Sequence, residues 1–233
     1  ILSSAASDVY KRQVIYIIPT PIGNLEDITL RSIKTLNESD MILAEDTRVS
    51  KKILKHYDIK TKLSPYHSFN EHKIVESIIE KIAYGLKISL ICDAGTPGIS
   101  DPGYLLIREC IKRGIDIICL PGATACIPAV VKSGLSCEKF TFEGFIPTKR
   151  KRKKNLEYIS QNKNTTIIYE SPHRIVKTLN NLYEHCGNRK VAVIKEISKV
   201  HEKAYRGTIS EVILEIEKSV LKGEFIIVLD GKR

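Results

Sequence analysis

The sequence predicts an α/β fold of two lobes, and three features carry that expectation. Apolar runs of strand length alternate with amphipathic stretches at helical spacing. Several of those runs are apolar almost throughout, as in strands buried on both faces of a largely parallel sheet. The pattern also breaks once, near Gly134–Glu138, where the helical stretch Ala123–Val131 ends at Lys132-Ser133-Gly134. With 233 residues, 42% of them hydrophobic, the chain has enough apolar side chains for a core in each lobe.

In chain order, Ile1–Gln13 is small, polar and without periodicity and reads as a non-native leader, so the expected domains are 1–13, 14–134 and 135–233. Strands are expected over Val14–Ile18, Met41–Ala44, Ile88–Cys92, Ile115–Leu120, Phe140–Phe145, Thr165–Tyr169, Lys190–Ile197 and Phe225–Leu229. Between them, Glu71–Tyr84 carries Ile74, Val75, Ile78, Ile79 and Ile82 at helical spacing, and another helical pattern begins near Tyr104.

A net charge of +10 points to a polyanionic partner, nucleic acid ahead of an acidic membrane surface. No apolar run is long enough for a membrane span. The six cysteines form no C-x-x-C pair and fall mostly in apolar patterns, which reads as buried free thiols. That usage, with no secretory h-region, places the chain in the cytoplasm. His67 and His72 lack a third ligand, so no metal site is expected.

The chemistry is expected in turns. Asp93-Ala94-Gly95-Thr96-Pro97-Gly98-Ile99-Ser100-Asp101-Pro102-Gly103 follows the apolar run Ile88–Cys92 and delivers the chain into a helix. Three glycines, two prolines and two carboxylates make it a candidate small-molecule cradle, with exposed backbone N–H groups. Pro19-Thr20-Pro21-Ile22-Gly23-Asn24-Leu25-Glu26-Asp27 lies where α/β sheets bind ligands, at a strand's carboxyl end, but lacks the G-x-G-x-x-G spacing of a nicotinamide site. Glu45-Asp46-Thr47-Arg48 and Pro121-Gly122-Ala123-Thr124-Ala125 follow two further strands. The two adjacent acids of the first are either chemical groups or only an N-cap and solvated surface.

These motifs, together with Gly144-Phe145-Ile146-Pro147, Tyr169-Glu170-Ser171-Pro172-His173-Arg174 and Tyr205-Arg206-Gly207, resemble in order the tetrapyrrole methylase superfamily of S-adenosylmethionine-dependent methyltransferases, and within it the branch that modifies small-subunit ribosomal RNA. The resemblance covers Val14 to about Leu229. It implies two α/β lobes with the methyl donor in the cleft between them, a homodimer, and 2'-O-methylation of a cytidine in the decoding region of 16S rRNA, as RNA or as the assembled small subunit. Longer family members carry a further small region beyond the point where this chain ends.

The resemblance places the donor against Gly95, Thr96, Pro97, Ile99, Ser100 and Asp101, with Pro21, Thr124, Ala125, Phe145 and the segment Ala204, Arg206, Gly207 and Thr208 completing the site. Asp101 either meets the donor ammonium or caps the helix that follows. A ribose hydroxyl is a weak nucleophile, so alignment and proton removal both matter. Candidate acid–base groups are Glu45, Asp46, His67, Glu170 and His173, with His67 among aromatic and polar residues suited to a flipped base. Arg48 and Arg174 suit phosphate. So does the run Lys149, Arg150, Lys151, Arg152, Lys153 and Lys154, six cations at a helix start that oppose the macrodipole there. Two other readings remain open: a tetrapyrrole methylase of the corrin or siroheme type, which has no evident need for that run, and a non-catalytic RNA-binding module, which would not bind the donor.

Overall fold

In the computed structural model, which describes residues 13–232, the chain packs as two α/β units. One comprises the chain up to Thr20 together with Glu26–Ala123; the other comprises Pro21–Leu25 and the chain from Thr124 onward. The leader expected over 1–13 lies, but for Gln13, outside the described residues; Gln13 already accepts a hydrogen bond from the Asp116 amide at 3.0 Å.

The first unit contains β1 (Val14–Ile17), α1 (Leu30–Asn37), β2 (Met41–Ala44), α2 (Thr47–His56), β3 (Leu63–Pro65), α3 (Glu71–Ala83), β4 (Ile88–Ile91), α4 (Tyr104–Lys112) and β5 (Asp116–Cys119). Its sheet runs β3-β2-β4-β1-β5, and every pairing is parallel. Strand alternation divides the core in two. Ile15, Ile17, Met41, Leu43, Ile88 and Leu90 pack against Val75, Ile78, Ile79 and Ile82 of α3 and Leu106 and Cys110 of α4. Ile18, Ile42, Ala44 and Ile91 pack with Leu36 of α1 and Leu54 of α2. Both faces are covered, which is why these strands read as unbroken apolar runs. The short β3 escapes that pattern because it is a half-exposed edge strand, where Pro65 is tolerated.

The second unit contains α5 (Cys126–Ser133), β6 (Phe140–Phe145), α6 (Arg152–Gln161), β7 (Thr165–Glu170), α7 (Ile175–Cys186), β8 (Lys190–Lys195), β9 (Lys203–Thr208), α8 (Ile209–Glu217) and β10 (Phe225–Leu229). Its sheet runs β6-β7-β10-β8-β9, and only β6 and β7 are parallel. The largely parallel arrangement expected from the apolar runs therefore holds in the first unit and not here. Apolarity reports burial on both faces, which these central antiparallel strands share. Ile168, Val191, Val193, Phe225, Ile227 and Leu229 pack under α6, α7 and α8, while α5 packs against β8, β9 and β10. Edge strand β9 buries only Tyr205, so its sequence carries no apolar run. Because α5 packs within this unit, the division falls between Ala123 and Thr124; Gly134, where a break was expected, is the left-handed C-cap of α5 at φ +74°.

All six cysteines are free. Cys92 and Cys110 are buried as expected, but Cys119 and Cys137 are exposed, Cys119 because β5 is an edge strand. Gly103 starts α4 at φ +141°, and a Cβ there would lie 3.1 Å from Leu90 Cδ2 and 3.3 Å from the Gly98 amide nitrogen. Gly103→Ala is expected to reduce unfolding free energy by roughly 1–3 kcal/mol in a denaturant titration. A change within about 0.5 kcal/mol, the range of neutral surface substitutions, would contradict this.

Candidate active site

In the first unit the parallel sheet brings the carboxyl ends of β1, β2, β4 and β5 to one edge, and the turns leaving them are laced together. Thr20 and Gly95 form a two-way backbone bridge, with N–H to O distances of 2.9 and 3.0 Å. The Thr20 hydroxyl donates to the Cys92 carbonyl at 2.9 Å, and the Thr96 hydroxyl donates to the Ala123 carbonyl. A Cβ on Gly122 would meet Pro19 Cβ at 2.7 Å, so that glycine permits turn-to-turn packing. Gly95, at φ +85°, has both backbone groups spent on Thr20 and is buried, so it shapes the loop without offering an N–H. Gly98 at φ +86° and Ser100 at φ +66° continue the left-handed path, which turns Ile99 and Ser100 outward while Pro97 is buried.

This edge of a strongly basic chain is acidic. Burial, reinforced by the Asp101 and Asp93 carboxylates, raises the pKa of Glu45. Burial likewise raises Asp93 and Asp101, and pushes up the Cys92 thiol beside Asp101. Asp46 is the exception. Its carboxylate accepts from the Arg48 guanidinium at 2.7 Å and from the Arg48 amide at 2.8 Å, capping α2, and these bonds pull its pKa down to about 2. A carboxylate so held is a poor proton acceptor near neutrality. The Asp46 amide in turn donates to Asp93 Oδ1 at 3.0 Å, a role for Asp93 signalled in the sequence only by its place after β4.

Beside this cluster lies a pocket of about 470 Å³ lined by Glu45, Asp46, Arg48, His67, Phe69 and Asp93, among others. His67 is half-buried; its Nδ1 is buried and finds no hydrogen-bond partner among the described residues. The Phe69 ring, 90% exposed, stands edge-on to His67 with centroids 6.0 Å apart. Sequence reasoning marked the surroundings of His67 as aromatic but gave Phe69 no role.

In the second unit, Glu170 and His173 part company. The Glu170 side chain is wholly buried: it accepts from the Thr178 hydroxyl at 2.6 Å and the Ser171 amide at 2.8 Å, and pairs with Arg174 Nε at 3.2 Å. Arg174 also donates to the Ile146 carbonyl. Arg152 turns inward from the basic run, donating to Thr178, Asn181 and the Pro147 carbonyl; burial, with Arg174 nearby, lowers its pKa. Lys149, Arg150, Lys151 and Lys153 are exposed, as is His173.

Phe145 is 53% exposed because a bulge between Phe142 and Gly144 re-aims the end of β6. Its ring lies 5.8 Å from that of Tyr169, whose hydroxyl is raised in pKa by burial and hydrogen-bonds Thr124. Thr124 also meets Cys126, with Ala125 half-buried beside them. Tyr169 ends an apolar strand run and opens a motif, and residue type there gave no sign of its bond to Thr124. Pro21 is buried within this unit. On β9, Ala204 pairs with Ile194, Arg206 donates to the Lys132 carbonyl at the end of α5, and Thr208 forms a capping box with Glu211, against whose side chain Gly207 packs.

The family model of the tetrapyrrole (corrin/porphyrin) methylases matches residues 14–213, and the chain belongs to that family of methyltransferases. Within it the similarity runs to ribosomal RNA small subunit methyltransferase I: the protein of that name from Halalkalibacterium halodurans is 45% identical over 218 residues, 93% of this chain and 75% of that protein. The one from Thermotoga maritima is 42% identical over 216 residues, 93% of this chain and 97% of that protein. Among solved structures, cobalt precorrin-4 methyltransferase superposes with a TM-score of 0.67 at 18% identity, covering 94% of this chain and 95% of that one. Diphthine synthase gives 0.70 at 13%, covering 93% and 89%. At such identities these two show the fold alone. No described helix is long and apolar enough to cross a membrane, and no group of three or more metal-ligating side chains occurs among the described residues.

The bonding of Glu170 makes a structural role testable. Glu170→Ala leaves Arg174 without its buried counter-charge and is expected to cost about 3–5 kcal/mol of stability by urea unfolding. A loss of under about 1 kcal/mol, with methyl transfer abolished, would instead return Glu170 to the catalytic group.

Proposed function

We propose that this chain is an S-adenosylmethionine-dependent methyltransferase that modifies the ribose 2'-hydroxyl of a cytidine in the decoding region of 16S rRNA, acting in the cytoplasm as a homodimer. The observation that carries the reading is the extent of its similarity to relatives named for small-subunit ribosomal RNA methylation, 93% of the chain at 45% identity, where the solved precorrin methylase shares 18%. The net charge of +10 and the exposed cations at the start of α6 agree with an RNA acceptor.

The residues at the acidic edge fit the donor. S-adenosylmethionine carries a sulfonium and an ammonium, and Asp101 is a half-buried carboxylate in a loop whose left-handed turns bring backbone to the surface. Asp101 pairs with the ammonium, Ile99 gives apolar contact, and the Thr20–Gly95 bridge holds the loop rigid. When bound, the donor supplies an electrophilic methyl group on its sulfonium. The protein's own part is alignment and proton removal. The pocket of Arg48, His67 and Phe69 seats the nucleotide: Phe69 stacks on the base, and Arg48, charged throughout the working range, meets phosphate. Glu45, whose proton affinity is raised by burial among carboxylates, takes the hydroxyl proton in its ionised form as the methyl group transfers. Asp46 keeps Arg48 in place and His67 orients the ribose.

The deciding experiment supplies labelled donor to small ribosomal subunits lacking the modification, with free tetrapyrrole in a parallel reaction, and maps the product. Label on a cytidine 2'-oxygen is expected; label on a base or on the tetrapyrrole, or none, would overturn the reading. A second outcome follows from the raised carboxylates. Burial raises these carboxylates above their ordinary range, so on acidification they take up protons before an unperturbed carboxylate would, and calorimetric affinity for the cationic donor should fall as pH is lowered. Affinity that does not change with pH would contradict the acidic contact.

A further inference from the structure

We propose that the groove between the start of α6 and α7 is a seat for a single phosphate group of the RNA backbone, with Arg152 as its fixed floor and Lys149, Arg150 and Lys153 closing over it. The inference rests on the RNA reading above and assigns one site within it. Three observations converge.

The first is shape. A pocket of about 480 Å³ is lined by Lys149, Arg150, Arg152, Lys153, Asn181 and His185, so these cations border a concavity instead of dispersing over a convex face.

The second is charge balance. Two guanidiniums, Arg152 and Arg174, share one buried carboxylate, Glu170, which reaches Arg174 directly and Arg152 only through the Thr178 hydroxyl. Beneath the pocket the two guanidiniums outnumber the one carboxylate that bonds them, the exposed Glu184 reaching only Asn181 at 3.4 Å, and burial already lowers the Arg152 pKa. An anion in the groove would neutralise it. The neighbouring cations are poorly matched internally: Lys153 approaches Glu157 only to 4.0 Å, on the exposed surface.

The third is direction. No side chain caps the N-terminus of α6, a ten-residue helix, and that positive end opens among the same cations. For helix stability this arrangement is unfavourable, whereas a bound phosphate meets both the dipole and the side chains.

Arg152 is consequently distinct from its neighbours. Its bonds to Thr178 at 2.9 Å and Asn181 at 3.1 Å hold the guanidinium in one orientation, so the seat has a fixed base beneath exposed walls. Glu170 is a positioning residue here: it tethers Arg174 and Thr178 and so fixes the floor without touching RNA.

The test uses the full chain. The Arg152 Nε resonance is followed by NMR during titration with inorganic phosphate and with a short single-stranded oligoribonucleotide; both should shift it saturably. Lys149→Ala combined with Arg150→Ala should weaken oligoribonucleotide binding at least tenfold. It should also flatten the slope of log affinity against log salt by about 0.7, the value for one phosphate contact. The control pair Lys218→Ala and Lys222→Ala, exposed cations beyond the end of α8, removes the same charge elsewhere and should have a smaller effect. Equal weakening by the two pairs, or an Arg152 resonance that stays put, would overturn the seat as general charge attraction. Methylation of small subunits by the parent chain, measured alongside, separates the two levels. Methylation with a silent Arg152 rejects the seat alone, and a responsive Arg152 without methylation keeps the seat and rejects the RNA methylation reading.

Discussion

The two-way backbone bridge between Thr20 and Gly95 is the constraint on which the first unit's chemistry depends. Parallel β1 and β4 are neighbours, and their turns leave the sheet at the same edge with backbone groups that must find partners. The bridge satisfies them and, with the Thr20–Cys92 and Thr96–Ala123 bonds, fastens three turns into one surface. Glycine is required at 95 because φ there is +85°. Beyond it the loop is free to follow the left-handed path that presents Ile99, Ser100 and Asp101 while burying Pro97.

Charge is sorted by the fold in a way that net charge conceals. The chain carries +10 overall, yet the first unit collects Glu45, Asp46, Asp93 and Asp101 at the carboxyl edge of its sheet, and the second exposes Lys149, Arg150, Lys151 and Lys153 at the start of α6. Burying carboxylates beside one another is unfavourable, which is why Glu45, Asp93 and Asp101 are all raised. A structure that keeps such a cluster gains from a cationic ligand. The basic run has the converse preference. The proposed reaction needs both, a cationic donor and a polyanionic acceptor.

Much of the fold was legible because burial on both faces writes itself into strands such as Met41–Ala44 and Phe225–Leu229. Strand direction was not legible, since β10 is as apolar as β4 yet antiparallel to both neighbours. Edge strand β9 was missed for the opposite reason: a half-exposed strand lacks an apolar signature. For the candidate site, residue type singled out the turns at the sheet's carboxyl edge but not their bonding. Asp46 and Glu45 are adjacent and chemically alike, and only the Arg48 clasp on one and the burial of the other distinguish their proton affinities. Similarly, Arg152 reads as one of six equal cations until its partners Thr178, Asn181 and Pro147 show it facing inward.

That the laced turns of the first unit receive the methyl donor is tested most directly by amide hydrogen exchange of the full chain with and without S-adenosylmethionine. Slowed exchange concentrated in 93–103 is the expected result, because the loop's outward amides become covered while the already bonded Gly95 amide changes little. Donor binding that leaves 93–103 exchanging as before would contradict it and move the donor site elsewhere in the chain.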